Sequence, residues 1–163
     1  MIKKKAAFFD RDGTLIYNAH YLSRIEDIAF LPKGLACARW CQNQGYELFV
    51  VTNQSGIARG FFDEHFVEST HEQLNQLLLQ EGVFVRKWYF CPHHPTEAVI
   101  KEYGYDCECR KPKPGMLLTA AREYSLDLSQ SIMIGDKACD FQAGLAAGCR
   151  VFDIAKVHIS GKL

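Results

Sequence analysis

The chain has 163 residues, 48% of them hydrophobic, which is enough for one well-buried core and short for two, so a single domain is expected over residues 1–163. Lysine plus arginine and aspartate plus glutamate each number 19, so no net field draws the chain to nucleic acid or to an anionic membrane, and an anionic ligand has to be held by a local site. No stretch approaches the roughly 20 apolar residues of a membrane helix, and Asp10, Arg11 and Asp12 cut the apolar run of MIKKKAAFF too early for an export signal; a cytoplasmic monomer is expected.

In chain order, Lys5 to Phe9 is a candidate strand. Lys33 to Gln44 has near-helical spacing at Leu35, Ala38 and Cys41, and Gly45 can close it. Glu47 to Val51 is a second strand. Asp63 is a plausible cap for a longer helix with Phe66, Val67, Thr70, Leu74, Leu77 and Leu78 on one side, ending near Gly82. Phe84 to Phe90 is a third strand, and Pro114 can open a helix running through Tyr124. Ser131 to Ile134 is a fourth strand, Ala138 to Ala147 a helix stopped by Gly148, and Arg150 to Phe152 a short fifth strand. Strands alternating with helices in this way describe an α/β fold, a Rossmann-like parallel sheet with helices on both faces.

In such sheets ligands bind outside the carboxyl ends of the strands. The polar residues that follow the apolar runs are Asp10 and Asp12, then Thr52 and Asn53, then Cys91 and His93, then Asp136. Three carboxylates in one crevice repel strongly unless a cation sits among them, and magnesium, which prefers oxygen ligands and often completes its shell with a phosphate oxygen, suits Asp10, Asp12 and Asp136. Read alone, DRDG is equally an acidic turn.

A second constellation follows the third strand. Cys91 and His93 form a C-x-H pair, Cys107 and Cys109 a C-x-C pair, with His94 as a rival to His93. Thiolates and one imidazole in two short pairs suit tetrahedral structural zinc, and the long loop of about residues 91–110 has little apolar periodicity and needs such a staple. Cys37, Cys41, Cys139 and Cys149 read as packed thiols.

FFDRDGTLI, TNQSG, CRKPKPG and GDKACD resemble, in order and across residues 6–148, the four motifs of the haloacid-dehalogenase-like phosphohydrolases. The resemblance implies that Asp10 attacks phosphorus, that Asp12 serves as acid and then base, and that Thr52 and Lys111 meet the phosphoryl oxygens. It places Asp140 behind the magnesium ligands. The cysteine pairs just before RKPKP narrow it to a zinc-containing subgroup without a separate cap domain, which holds heptose-bisphosphate 7-phosphatases and histidinol-phosphate phosphatases. TNQSGIARG, with Ser55 departing from TNQDG, is more like the heptose enzymes, whose zinc histidine corresponds to His93. A small phosphosugar substrate follows, in the supply of activated heptose for lipopolysaccharide, met by Asn18, Tyr21, Asn53, Ser55, Arg110 and Lys137; Asn18 stands where an acidic residue is usual. A histidinol-phosphate phosphatase is the alternative. A non-catalytic, zinc-stapled binding module displaying Trp88, Tyr89, Tyr103 and Tyr105 is a third reading, against which the unbroken set of Asp10, Asp12, Lys111 and Asp136 stands.

Overall fold

The computed structural model describes residues 2–18 and 21–159; Ala19 and His20 of the NAHY stretch and tail residues 160–163 lie outside them. Five strands, β1 (Ala6–Phe9), β2 (Glu47–Asn53), β3 (Val85–Cys91), β4 (Ile132–Gly135) and β5 (Arg150–Asp153), form one sheet in the order β3-β2-β1-β4-β5. All neighbours are parallel. The helices α1 (Pro32–Asn43), α2 (Glu64–Gln80), α3 (Gly115–Tyr124) and α4 (Ala138–Ala147) lie between them in sequence.

The strand sequences are almost continuously apolar because both faces of the sheet are covered. Successive residues of β1 therefore enter different cores. Ala7 and Phe9 join Leu48, Val50, Ile132 and Ile134 under α1 and α2, through Cys37, Ala38, Cys41, Leu74 and Leu78. Ala6 and Phe8 join Phe49, Val51 and Met133 under α3 and α4, through Met116, Leu117, Ala120 and Ala143. Pro32 sits in the first turn of α1, the Asp63 carboxylate accepts the Phe66 amide at 2.8 Å to cap α2, and Gly148 closes α4 with a φ of 93° that favours glycine.

The predicted elements are all present, and the strand ends differ in one informative way. β2 continues past Val51 to Asn53, and β3 runs from Val85 to Cys91 instead of from Phe84 to Phe90. The ladder pairs Thr52 with Phe90 and Asn53 with Cys91, so backbone hydrogen bonding carries the strands beyond their apolar runs. Polar side chains are thereby mounted on regular backbone at the sheet's edge.

Between β1 and α1 the described chain forms a small flap with bridges from Asp12 to Ile16 and from Ile16 to Phe30. Among the described residues no helix is long and apolar enough to cross a membrane.

Phe49 is fully buried, with its ring centroid 5.6 Å from Phe8 and 5.1 Å from Tyr124. Phe49→Ala is expected to lower unfolding free energy by about 3–5 kcal/mol, measured by chemical denaturation.

Candidate active site

The order of the strands makes β1 the point from which the chain runs first toward β2 and β3 and later back toward β4 and β5, so a crevice opens at its carboxyl end. Asp10 emerges there and Asp136 follows β4 beside it. Gly13, at φ 84°, lets the turn pass close to Asp136: a Cβ at this position would collide with the Asp136 carboxylate.

Oxygens of Asp10, Asp136 and Asp140 all lie within 4.8 Å of one another. The Lys111 ammonium is inserted into this group, donating to Asp10 Oδ1 at 2.8 Å, Asp140 Oδ1 at 2.6 Å and the Val51 carbonyl at 2.8 Å. It is buried and fully paired, which rules out a solvated surface lysine. Burial by itself would disfavour the ammonium, but Asp10 and Asp140 raise its pKa above the usual lysine value. Burial also lifts Asp10, whose pKa is raised to about 7 even though Lys111 opposes the shift.

Asp140 stands behind the others. Its Oδ1 takes Lys111 while its Oδ2 accepts the amides of Asp136 and Lys137 at 3.2 and 3.1 Å, fixing the turn into α4. The Asp12 carboxylate, expected to share the ion with Asp10 and Asp136, is instead turned to the Arg11 guanidinium and to Gln54 Nε2, the latter at 3.0 Å. The Lys111 ammonium already meets Asp10 and Asp140, whereas Arg11 supplies Asp12 with a positive charge of its own. Hard oxygen donors beside a crevice fit magnesium, with Asp10 and Asp136 as carboxylate ligands.

Thr52 is buried at the end of β2, its hydroxyl accepting from Gln54 at 2.9 Å. Asn53 exchanges two hydrogen bonds with the Lys111 backbone, giving one and accepting one at 3.0 Å each, so its amide clamps the lysine loop. In front of Asp12 lies a cleft of about 320 Å³ lined by Asn18, Tyr21, Asn53, Ser55, Arg110 and Lys137, the complete set expected to face a substrate. Gln54 and Arg59, which sequence reasoning did not single out, line it as well, as does Cys139, expected as a packed thiol. Arg59 was legible as a cation six residues after the end of β2; Gln54 carried no signal of its own.

The second cluster brings together Cys91, His93, Cys107 and Cys109. The three sulfurs are 3.0 to 3.4 Å apart, and His93 Nδ1 is 3.5 Å from Cys91 Sγ and 3.4 Å from Cys109 Sγ. Four soft donors facing one point, without a disulfide, fit zinc with no position open to water. His93 Nε2 meets the Tyr105 hydroxyl at 2.8 Å, which sets its orientation. His94 faces elsewhere, accepting the amides of Thr96 and Glu97 through Nδ1. Hydrogen bonding with Cys91, Cys107 and His93 lowers the Cys109 thiol below its usual value, while the same contact raises Cys91.

This loop reaches the cleft. Val99 and Ile100 donate to the Ala58 carbonyl at 2.8 and 3.0 Å, Glu97 pairs with Arg59, and Arg110 donates to the His93 carbonyl at 3.3 Å.

Residues 108–155, which carry Lys111, Asp136 and Asp140, match the family model described as "HAD-hyrolase-like". A D-glycero-beta-D-manno-heptose-1,7-bisphosphate 7-phosphatase from Photorhabdus laumondii is 45% identical over 142 residues, covering 87% of this chain and 75% of that protein. The chain belongs to the haloacid-dehalogenase-like hydrolases. A D-glycero-alpha-D-manno-heptose-1,7-bisphosphate 7-phosphatase of the same organism is 39% identical over 146 residues, covering 90% of this chain and 79% of that protein. The crystal structure of D,D-heptose 1,7-bisphosphate phosphatase from B. bronchiseptica, complexed with magnesium and phosphate, is 35% identical, with a TM-score of 0.77 over 90% of this chain and 78% of that one.

Two measurements check the metal clusters. Cys109→Ser is expected to lose zinc by elemental analysis and to lower the thermal midpoint by about 5 °C or more. Because Asp10 in the ion-free protein holds its proton up to about 7, protons and magnesium compete for it. A carboxyl raised in this way makes the ion-free fold lose stability as pH climbs from the unfolded value of 3.8 through about 7, and magnesium reverses that loss. The rise in thermal midpoint on adding magnesium is therefore expected to be larger at about pH 8 than at about pH 6.

Proposed function

We propose that the protein is a magnesium-dependent phosphomonoesterase working through an aspartyl-phosphate on Asp10, and that it removes the 7-phosphate of D-glycero-D-manno-heptose 1,7-bisphosphate. The observation that carries the reading is the buried Lys111, held between Asp10 and Asp140 directly behind a polar cleft that contains Asp12. The similarity to heptose-bisphosphate phosphatases over most of the chain supports the substrate.

Phosphate monoester hydrolysis has one of the slowest uncatalysed rates, so the site must remove on the order of 20 kcal/mol or more from the barrier. A carboxylate nucleophile divides the task into two displacements. In the first, an Asp10 oxygen bonds to phosphorus as the bond from phosphorus to the sugar oxygen breaks, and that oxygen takes a proton from Asp12. In the second, Asp12 removes a proton from water, the water oxygen bonds to phosphorus, and the acyl phosphate opens to return Asp10 and release inorganic phosphate. When bound at Asp10 and Asp136, magnesium supplies positive charge that stabilises the transferring phosphoryl group. Lys111 adds a fixed ammonium and Thr52 a hydroxyl, both oriented before the substrate arrives.

The cleft favours a substrate with a second anionic group. Arg59, Arg110 and Lys137 line it beyond the reacting end, and the chain as a whole has no net charge that would attract such a ligand otherwise. Arg110 and Ser55 are the residues we assign to the sugar and its far phosphate, with Asn18 and Tyr21 lining the same cleft. A single domain, with the zinc loop forming one side of the cleft, completes this reading.

The test is the specificity constant for the alpha and beta anomers of heptose 1,7-bisphosphate against histidinol phosphate, each with magnesium. A clear preference for a heptose bisphosphate is expected, and preference for histidinol phosphate would overturn the substrate. Asp10→Asn is expected to lower kcat by at least about a thousandfold on every phosphate ester while leaving the thermal midpoint near or above that of the parent.

A further inference from the structure

Arg11 is the largest fully buried side chain among the described residues, yet no step of the reaction above uses it. Its guanidinium forks onto the neighbouring carboxylate, with Nε 3.2 Å from Asp12 Oδ1 and Nη2 3.1 Å from Asp12 Oδ2. The third side of the fork, Nη1, lies 3.1 Å from His71 Nε2, which is 60 residues away in the chain.

His71 is built to accept. It is buried on α2, its ring stacked on Trp88 at a centroid distance of 4.8 Å and met edge-on by Phe90 at 6.0 Å. The Trp88 indole is itself tethered, 3.3 Å from Asn75 Oδ1. Burial and the facing guanidinium both hold the imidazole neutral, leaving Nε2 with a lone pair toward Arg11. A buried guanidinium donates in a rigid plane, so satisfying its third side fixes the direction of the other two.

We propose that His71 and Arg11 are positioning residues that aim the Asp12 carboxylate at the leaving oxygen and away from the Asp10–Asp136–Asp140 cluster. The two aspartates are one residue apart, and the turn between them leaves Asp12 free to swing toward the same cation as Asp10. A carboxylate captured there cannot deliver a proton. The fork from Arg11, completed by Gln54 on Oδ2, removes that option, and His71 keeps the fork from rotating. The unpaired alternative is costly, since a buried guanidinium donor without a partner has given up water for nothing.

The inference rests on the phosphatase reading, and its test separates the two. Proton delivery matters for a poor leaving group and hardly at all for nitrophenolate, so the readout is kcat/KM for phenyl phosphate and heptose bisphosphate relative to p-nitrophenyl phosphate. His71→Phe keeps the ring against Trp88 and removes the acceptor. It is expected to lower kcat/KM about tenfold or more on the first two and less than about threefold on p-nitrophenyl phosphate. His71→Gln, which restores an acceptor near the place of Nε2, is expected to stay within about threefold of the parent on all three. Arg11→Lys keeps the charge and loses the fork, so it repeats the leaving-group-dependent loss and serves where His71→Phe does not fold. An equal loss on all substrates, or no loss, overturns the positioning role. Failure of the unaltered protein to hydrolyse any of the three with magnesium overturns the phosphatase reading itself.

Discussion

Lys111 is the charge on which the site depends. Asp10 and Asp140 face one buried space, and without the ammonium between them both could not stay ionised at the end of an apolar strand. Removing the ammonium from such a buried set typically costs about 3–5 kcal/mol because the carboxylates are left uncompensated. The chain therefore has to deliver Lys111 to the carboxyl end of β1 from a loop a hundred residues later. Asn53 clamps the lysine's backbone, the Val51 carbonyl takes its third proton, and the zinc-suited cluster ends at Cys109, two residues before it.

The same economy of charge separates two aspartates that look alike in the sequence. Asp10 is buried, raised in pKa and in contact with an ammonium; Asp12 is turned to a guanidinium and an amide. Two carboxylates with different surroundings can take different parts in one reaction, which is how acid and nucleophile coexist in a small volume. The loop that carries the cysteines adds a third layer. It contacts the turn at Ala58 and Arg59 and holds Arg110 through the His93 carbonyl, so the wall of the cleft is tied to the metal cluster.

Much of this was legible in one dimension. The strands stand out because both faces of a parallel sheet are covered, which leaves apolar runs with sharp polar ends. Those ends name Asp10, Thr52, Cys91 and Asp136 directly. Short, regular spacing marks the cysteine pairs. What stayed hidden was pairwise: whether His93 or His94 joins the sulfurs, that Asn53 is committed to the Lys111 backbone, that Arg59 lines the cleft, and that Arg11 finds His71. An arginine between two aspartates reads as a surface residue in any scan of composition, and a histidine on the apolar side of α2 reads as core.

The residues themselves determined the order of the elements, the ends at which chemistry is possible, and the donor types that suit a hard and a soft metal, because those depend on local pattern and on the chemistry of single side chains. The direction in which each carboxylate points was decided only in three dimensions. Orientation is set by which opposite charge arrives nearby, and Lys111, Arg11 and His71 reach their partners through sheet order and helix packing, neither of which is written in any local stretch of the chain.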